Sequence, residues 1–180
     1  MGRLAMSVRV NSGAPVAGEL VWREATLGEL SPGELYALLA LRQRVFVVEQ
    51  SCAYLDADGY DAQAVHVWAE APESTRGERA PGHVPTVMAA ARLFAPQIKY
   101  EEACIGRVVT APEARGTGLG RALIARSIAV IEARFGAVAI KLSAQAHLER
   151  LYGEYGFRTV SERYMEDDIP HVAMRREPSR

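Results

Sequence analysis

Cysteine is scarce in this chain: Cys52 and Cys104 stand far apart and form no CxxC pair, which excludes a disulfide-dense scaffold and a thiolate-rich zinc module. The bland reading of both is as small buried hydrophobes. The histidines His66, His83, His147 and His171 show no metal-ligand spacing, so no metal is expected. Long apolar runs are missing too. The runs Leu35 to Leu41 and Val45 to Val48 fall far short of the roughly 20 residues of a membrane helix. No apolar N-terminal stretch reads as a signal peptide, and the expectation is a cytoplasmic protein with reduced thiols. Neither sign of charge dominates: 21 basic and 22 acidic residues leave a formal charge of -1, with no basic stripe. That balance argues against nucleic acid or a membrane surface as partner. Internal repeats are absent.

What is present is an ordinary globular composition, 49% hydrophobic and 24% charged over 180 residues. A chain of this size buries roughly 70% of its unfolded surface and needs no staple. The organisation expected is a flexible leader over residues 1–18, rich in Gly, Pro, Ser and Asn, followed by a single domain over 19–180. Leu20 to Ala25 reads as a strand. Ser31-Pro32-Gly33-Glu34 is a capping box with Pro at the first helical position, opening the apolar pattern Leu35, Leu38, Leu39, Val45. The cluster Val45-Phe46-Val47-Val48 either prolongs that helix or starts another element, and Asp56-Ala57-Asp58-Gly59 marks a turn. Strands are predicted at Ala64 to Glu70, Val87 to Phe94, Ile105 to Thr110, Val138 to Leu142, Phe157 to Val160 and His171 to Arg175. Ala71 to Thr86, rich in Pro, Gly and charge, reads as a long exposed connection. A helix follows Gly120, with Leu119, Leu123, Ile124, Ile128 and Ile131 on one face and Gly136 as its stop, and a short one spans Ala146 to Tyr155. The order β-α-β-β-β-α-β-α-β-β implies an α/β (α+β) fold, a mixed sheet with helices on its faces.

Three glycines, Gly116, Gly118 and Gly120, lie between the strand Ile105 to Thr110 and the long helix. A glycine-rich turn entering a helix offers unpaired N–H groups and a partial positive charge, a natural cradle for a pyrophosphate. The dinucleotide pattern GxGxxG fails because Arg121 occupies its last position, and the GK followed by Ser or Thr of a nucleotide-triphosphate loop is absent.

The run Arg115-Gly116-Thr117-Gly118-Leu119-Gly120, entered from a strand and Pro112, resembles the acetyl-CoA loop of the GCN5-related N-acetyltransferases (GNAT superfamily). About thirty residues on, Leu151-Tyr152-Gly153-Glu154-Tyr155-Gly156-Phe157 is similar to that superfamily's second motif, Y-x-x-x-G-F. LYALLALRQRVFVVEQSCAYLDADGYD, IGRVV, AQAHL and YMEDDIPHVAM resemble its ElaA-type branch, from roughly Leu20 to Met174. The departures are Asp168, where the branch has Gly, and the Ala71 to Thr86 connection.

The resemblance implies a mixed, mostly antiparallel sheet of six to seven strands, helices on both faces, and a central strand pair that splays apart. It implies an N-acyltransferase that carries acetyl from acetyl-CoA, as donor substrate, to an amine of a small molecule or peptide, and it admits a homodimer. By position, Val108, Val109 and Thr110 would hold the pantetheine arm; Arg115, Gly116, Thr117, Gly118, Leu119, Gly120 and Arg121 the pyrophosphate; and Gln145 and Tyr152 the rest of the donor. Tyr152 matches the superfamily's acid tyrosine, whereas Tyr155 falls at a packing position. The customary base position holds Cys104. Glu49 and His66 rank first as bases, with Glu102 a further alternative, and Arg92, Arg107, Tyr164, Glu166, Asp167 and His171 are candidates for the acceptor pocket. Four rivals stand beside direct attack: an acyl-homoserine-lactone-synthase-like reaction, suggested by Arg42-x-x-Val45-Phe46, a coenzyme A-binding module without turnover, a structural or adaptor domain that binds no coenzyme A, and a covalent route through Cys52.

Overall fold

A computed structural model describes residues 20–72 and 82–178. The expected leader over residues 1–18 and the middle of the Ala71 to Thr86 connection lie outside the described residues. The helix α1, Pro32–Arg42, starts as its capping box dictates: the Ser31 hydroxyl accepts from the Glu34 amide at 3.2 Å, and the Glu34 carboxylate accepts from the Ser31 amide at 2.8 Å. The valine-rich cluster that follows prolongs α1 with a wider pitch. Gln43–Glu49 is a π-helix, closed by the Gln50 amide donating to Val45 O at 2.9 Å.

Eight strands form one sheet: β1 (Val21–Thr26), β2 (Val65–Glu70), β3 (Val87–Phe94), β4 (Ala103–Thr110), β5 (Ile140–Gln145), β6 (Phe157–Thr159), β7 (Tyr164–Glu166) and β8 (Ile169–Arg176). Their spatial order is β1-β2-β3-β4-β5-β8-β6, with β7 also on β8. Pairing is antiparallel except between β4 and β5, which are parallel because the helix α2, Leu119–Phe135, carries the chain from one to the other. The short α3, Glu149–Gly153, precedes β6. β2 and β3 are buried at every position, so both faces of the sheet's centre are covered. Leu119, Leu123, Ile124, Ile128 and Ile131 bury the inner face of α2 as its period requires.

The sheet has one strand more than the expected six to seven. The addition is β7, three exposed residues with no apolar alternation to betray them. β7 and β8 are joined by Asp167 and Asp168 at φ 49° and 61°, a two-residue hairpin turn with both central residues left-handed. Aspartate tolerates that conformation better than most side chains, so Asp168 keeps the turn without glycine.

A buried charge network ties α1 to the sheet. Arg42, 2% exposed at its side chain, donates from Nε to Asp56 Oδ2 at 2.8 Å, from Nη1 to Asp61 Oδ1 at 2.5 Å and from Nη2 to Asp56 O at 2.8 Å. Arg92 on β3 grips Asp58 through both Nη atoms at 2.7 and 2.8 Å and lies 3.2 Å from Asp61. Arg107 on β4 closes the set, donating from Nε to Asp56 Oδ1 at 2.7 Å beneath the Tyr54 ring. Three arginines from α1, β3 and β4 thus hold the Asp56 to Asp61 loop against the sheet. Breaking one partner of such a buried set leaves an uncompensated charge, at a cost of about 3 to 5 kcal/mol.

Two stability predictions follow from these contacts. A Cβ on Gly33 would lie 1.9 Å from the backbone oxygen of His83, so Gly33→Ala should destabilise by about 1 to 3 kcal/mol in urea titration, although alanine ordinarily strengthens a helix. Hydrogen bonds from Arg92 hold the Asp58 carboxyl well below its usual range; at Asp61 burial pushes upward, but Arg42 and Arg92 outweigh it. Carboxyls depressed in the folded state stabilise above the unfolded value of about 3.9 and lose that contribution as pH falls beneath it. The urea midpoint of the wild type should therefore exceed that of Asp58→Asn at pH 6 by more than it does at pH 3; an equal gap at both pH values would contradict the pairing.

Candidate functional site

β4 and β5 begin side by side and then part. Their register holds only two pairs, Ala103 with Ile140 and Cys104 with Lys141. Beyond Cys104, β4 stays on β3 through a bulge: Gly106 pairs with Arg92 and Val109 with Ala90, so Arg107 and Val108 together face one residue of β3. Arg107 sits at φ 49°, an unusual conformation for a non-glycine residue within a strand. Its side chain is pinned by Asp56 and packs against the Tyr54 and Phe46 rings at 4.9 and 5.8 Å, which over-determines the bend. Past the bulge, the Ala111 amide donates to Met88 O at 2.8 Å. By the antiparallel alternation, Val109 also turns to β3, while Val108 and Thr110 turn to the open side.

A cleft fills the gap. Cys104 to Val108 form one wall, Leu142 to Gln145 the other, Tyr152 and Leu148 lie at its α3 end, and Gln50, Cys52, Tyr54, Glu166, Asp167 and His171 ring its opposite side. The glycine turn stands where β4 ends. Gly116 and Gly118 take φ 75° and 86°, left-handed values that L side chains resist, and Thr117 donates from its hydroxyl to Ala114 O at 2.7 Å to brace the turn. Gly118 begins α2 without any side-chain cap, so the first N–H groups of α2 point out of the helix unclaimed by a capping side chain. A Cβ on Gly120 would touch Thr110 Oγ1 at 3.4 Å, which sets the helix start directly against the end of β4.

The sequence candidates divide by place. Tyr152, 5% exposed, borders the cleft and meets Phe157 edge to face at 5.9 Å. Burial alone pushes its phenol up to about 12. Tyr155, by contrast, spends its hydroxyl on Arg121 O at 3.0 Å, tying α3 to α2 as a packing residue. Gln145 reaches from β5 to the Gln50 side chain at 3.3 Å across the cleft's end. Arg115 and Arg121 flank the turn, each already in an exposed ion pair, Arg115 with Glu49 at 2.8 Å and Arg121 with Glu154.

Neither first-ranked base reaches the cleft. Glu49 lies on the surface, where the hydrogen bond from Arg115 holds its carboxyl below the usual range. His66 is 2% exposed on β2, with Nε2 on Asp61 O at 3.3 Å, so it belongs to the charge network. Burial lowers its pKa. Arg92 is likewise enclosed by that network, and Glu102 accepts from Arg175 at 2.9 Å at the edge of β4. Cys104 does line the cleft, and burial pushes its thiol up to about 11.

The wall opposite Tyr152 is the β7–β8 hairpin, which brings together Tyr164, Glu166, Asp167 and His171, pocket candidates of the sequence; the sequence predicts β8 from His171 to Arg175 but not β7. Ser143 on β5 donates to Glu166 Oε2 at 2.8 Å; having spent its one proton, its oxygen accepts from the Tyr164 hydroxyl at 2.6 Å. His171 stacks on Tyr164 with ring centroids 6.2 Å apart and holds Nδ1 2.8 Å from Ile169 O. The Asp167-Asp168 pair, two residues that tolerate the left-handed turn, was the available signal. Among the described residues, no group of three potential ligands could hold a metal ion, and no helix is long and apolar enough to cross a membrane.

With this geometry in place, comparison with known proteins is specific. Residues 58–178 match the family model described as Acetyltransferase (GNAT) domain. The protein ElaA of Escherichia coli K12 is 35% identical over 158 residues, covering 87% of this chain and 95% of the relative. A crystal structure of an acyl-CoA N-acyltransferase from Pseudomonas aeruginosa is 42% identical, with TM-score 0.76 over 87% of this chain and 99% of that one. The crystal structure of Escherichia coli ElaA is 34% identical, with TM-score 0.75 over 88% and 99%. The fold thus has its counterpart in these solved structures, and the chain belongs to the GNAT family of acyl-CoA N-acyltransferases, in its ElaA-type branch.

Proposed function

We propose that this enzyme transfers an acetyl group from acetyl-CoA to a primary amine of a small molecule or peptide by direct attack. The observation that carries this reading is the place of Tyr152, a buried phenol bordering the cleft between two parted strands. Main-chain groups of Val108 and Thr110 pair with the pantetheine arm as an added strand would, with Val109 packed beneath them. The amides from Arg115 through Gly116, Thr117, Gly118 and Leu119 to Gly120 receive the pyrophosphate. Arg115 and Arg121 can exchange their exposed glutamate partners for phosphate oxygens at little cost, because such surface pairs contribute only about 0 to 1 kcal/mol. Gln145 contacts the donor arm where it enters the cleft.

The chemistry then needs three things: a neutral amine, stabilisation of the tetrahedral oxyanion, and a proton for the departing sulfur. A phenol pushed up to about 12 stays protonated at neutral pH, so Tyr152 serves as hydrogen-bond donor and acid to the sulfur, not as a base. Cys104, pushed up to about 11, is protonated at neutral pH and equally unsuited as a base. A covalent route through Cys52 is disfavoured for a related reason, since burial and the Asp167 charge raise its thiol and suppress the thiolate it would need.

Replacing Tyr152 with Phe should lower turnover, read as thiol release from acetyl-CoA over a panel of amines and peptides, by more than tenfold. Calorimetric affinity for coenzyme A should stay within about threefold. Unchanged turnover would remove Tyr152 from the acid role. Coenzyme A binding by the wild type without thiol release on any amine would instead favour a binding module.

A further inference from the structure

The cleft holds several ionisable groups, and most are in the wrong state to take a proton at neutral pH. Tyr152 and Cys104 are protonated there, and burial likewise pushes up Cys52, Tyr54 and Tyr100. Burial lowers the pKa of Lys99, whose amine is spent on the faces of the Tyr60 and Phe94 rings at 4.3 and 5.1 Å. Arg107 is committed to Asp56.

His171 differs in kind. Its Nδ1 lies 2.8 Å from a backbone carbonyl, which can only accept, so Nδ1 carries the proton and Nε2 of the neutral ring is a bare lone pair. Nε2 has no partner among the described residues, and the ring borders the cleft. The ring is also held still. Tyr164 stacks on one face with the planes 24° apart, and Tyr164 is itself fixed to β5 through Ser143. A proton acceptor with a fixed tautomer, fixed ring plane and an unspent nitrogen at the cleft is what base catalysis requires.

We infer that His171 is the general base of this enzyme, taking the proton that a cationic amine must lose before it attacks. The inference rests on the acyl-transfer reading above and adds a catalytic residue to it. The ammonium gives one proton to Nε2; its freed lone pair forms the C–N bond at the thioester carbonyl. The tetrahedral intermediate expels the thiolate as the C–S bond breaks, and the amide nitrogen's surplus proton ends on sulfur by way of Tyr152. The imidazolium so formed returns its proton to water. Charged and titratable groups face His171 from each side. Tyr164 and Glu166 approach from β7, Asp167 from the turn, Cys52 and Tyr54 from the loop after the π-helix, and Lys99, Cys104 and Arg107 from the β4 side.

The test compares kcat/KM against pH for the wild type and His171→Asn, whose amide can still donate to Ile169 O but takes up no proton. The probes are acetyl-CoA with the primary alkylamine turned over fastest, and with the alkoxyamine of equal chain length, which carries no proton at neutral pH. Expected are a loss of about 10²-fold with the alkylamine at neutral pH, displacement of the acidic limb upward toward the amine's own ionisation near about 10.4, and a loss under about tenfold with the alkoxyamine. Unchanged coenzyme A affinity and melting temperature confirm a folded site, with His171→Gln as second variant should Asn unfold it. An acidic limb left at its wild-type position in either folded variant overturns the base assignment alone; a wild type that releases no thiol with any amine overturns the acyl-transfer reading and the base with it.

Discussion

The parting of β4 from β5 after two register pairs is the constraint on which everything else depends. A parallel pair that continued to its end would satisfy its own backbone groups and leave no room between the strands. The bulge at Arg107 swings the second half of β4 onto β3 alone, and the left-handed residue at its centre is unfavourable by itself. It persists because Arg107 is caught from the other side by Asp56, which Arg42 fixes in turn. The buried charge network and the open cleft are in this sense one device. Ion pairs that an apolar core could have replaced are retained where they bend a strand.

From that bend the rest of the site follows by geometry. The open side of Val108 and Thr110 looks into the gap, the glycine turn stands at its end with an uncapped helix behind it, and α3 presents Tyr152 at one side. The far wall is the β7–β8 hairpin, whose Tyr164, Ser143 and Glu166 contacts pin it to β5. The glycine turn and Tyr152 thus lie toward the β4 and α3 sides of the cleft, and His171, Glu166 and Asp167 on the hairpin side.

Much of this was legible in the sequence, for identifiable reasons. The capping box at Ser31, the apolar stripe of α2 and the alternation of β2 and β3 are local patterns whose physics is local, and each element lies where its residues place it. The glycine turn and Tyr152 were readable because backbone approach and a motif at fixed distance leave traces in residue type. The placement of Glu49 and His66 was not readable, since whether a side chain meets the cleft depends on which arginine claims it first. Arg115 keeps Glu49 at the surface and Asp61 keeps His66 inside. The pocket residues of the hairpin and the strand from His171 were readable, but β7 was not, because its three exposed residues carry no periodic signal, although the turn tolerated by Asp167 and Asp168 decides where His171 stands.

In the proposed mode of donor binding, the open edge of β4 receives the donor's arm as an added strand. Amide hydrogen exchange at Val108 and Thr110, followed by NMR with and without coenzyme A, reads that edge residue by residue. The account predicts that both amides, exchanging readily in the free protein, become strongly protected at saturating coenzyme A, together with amides of the Gly116 to Gly120 turn. Binding that protects other segments while Val108 and Thr110 exchange at unchanged rates would contradict it.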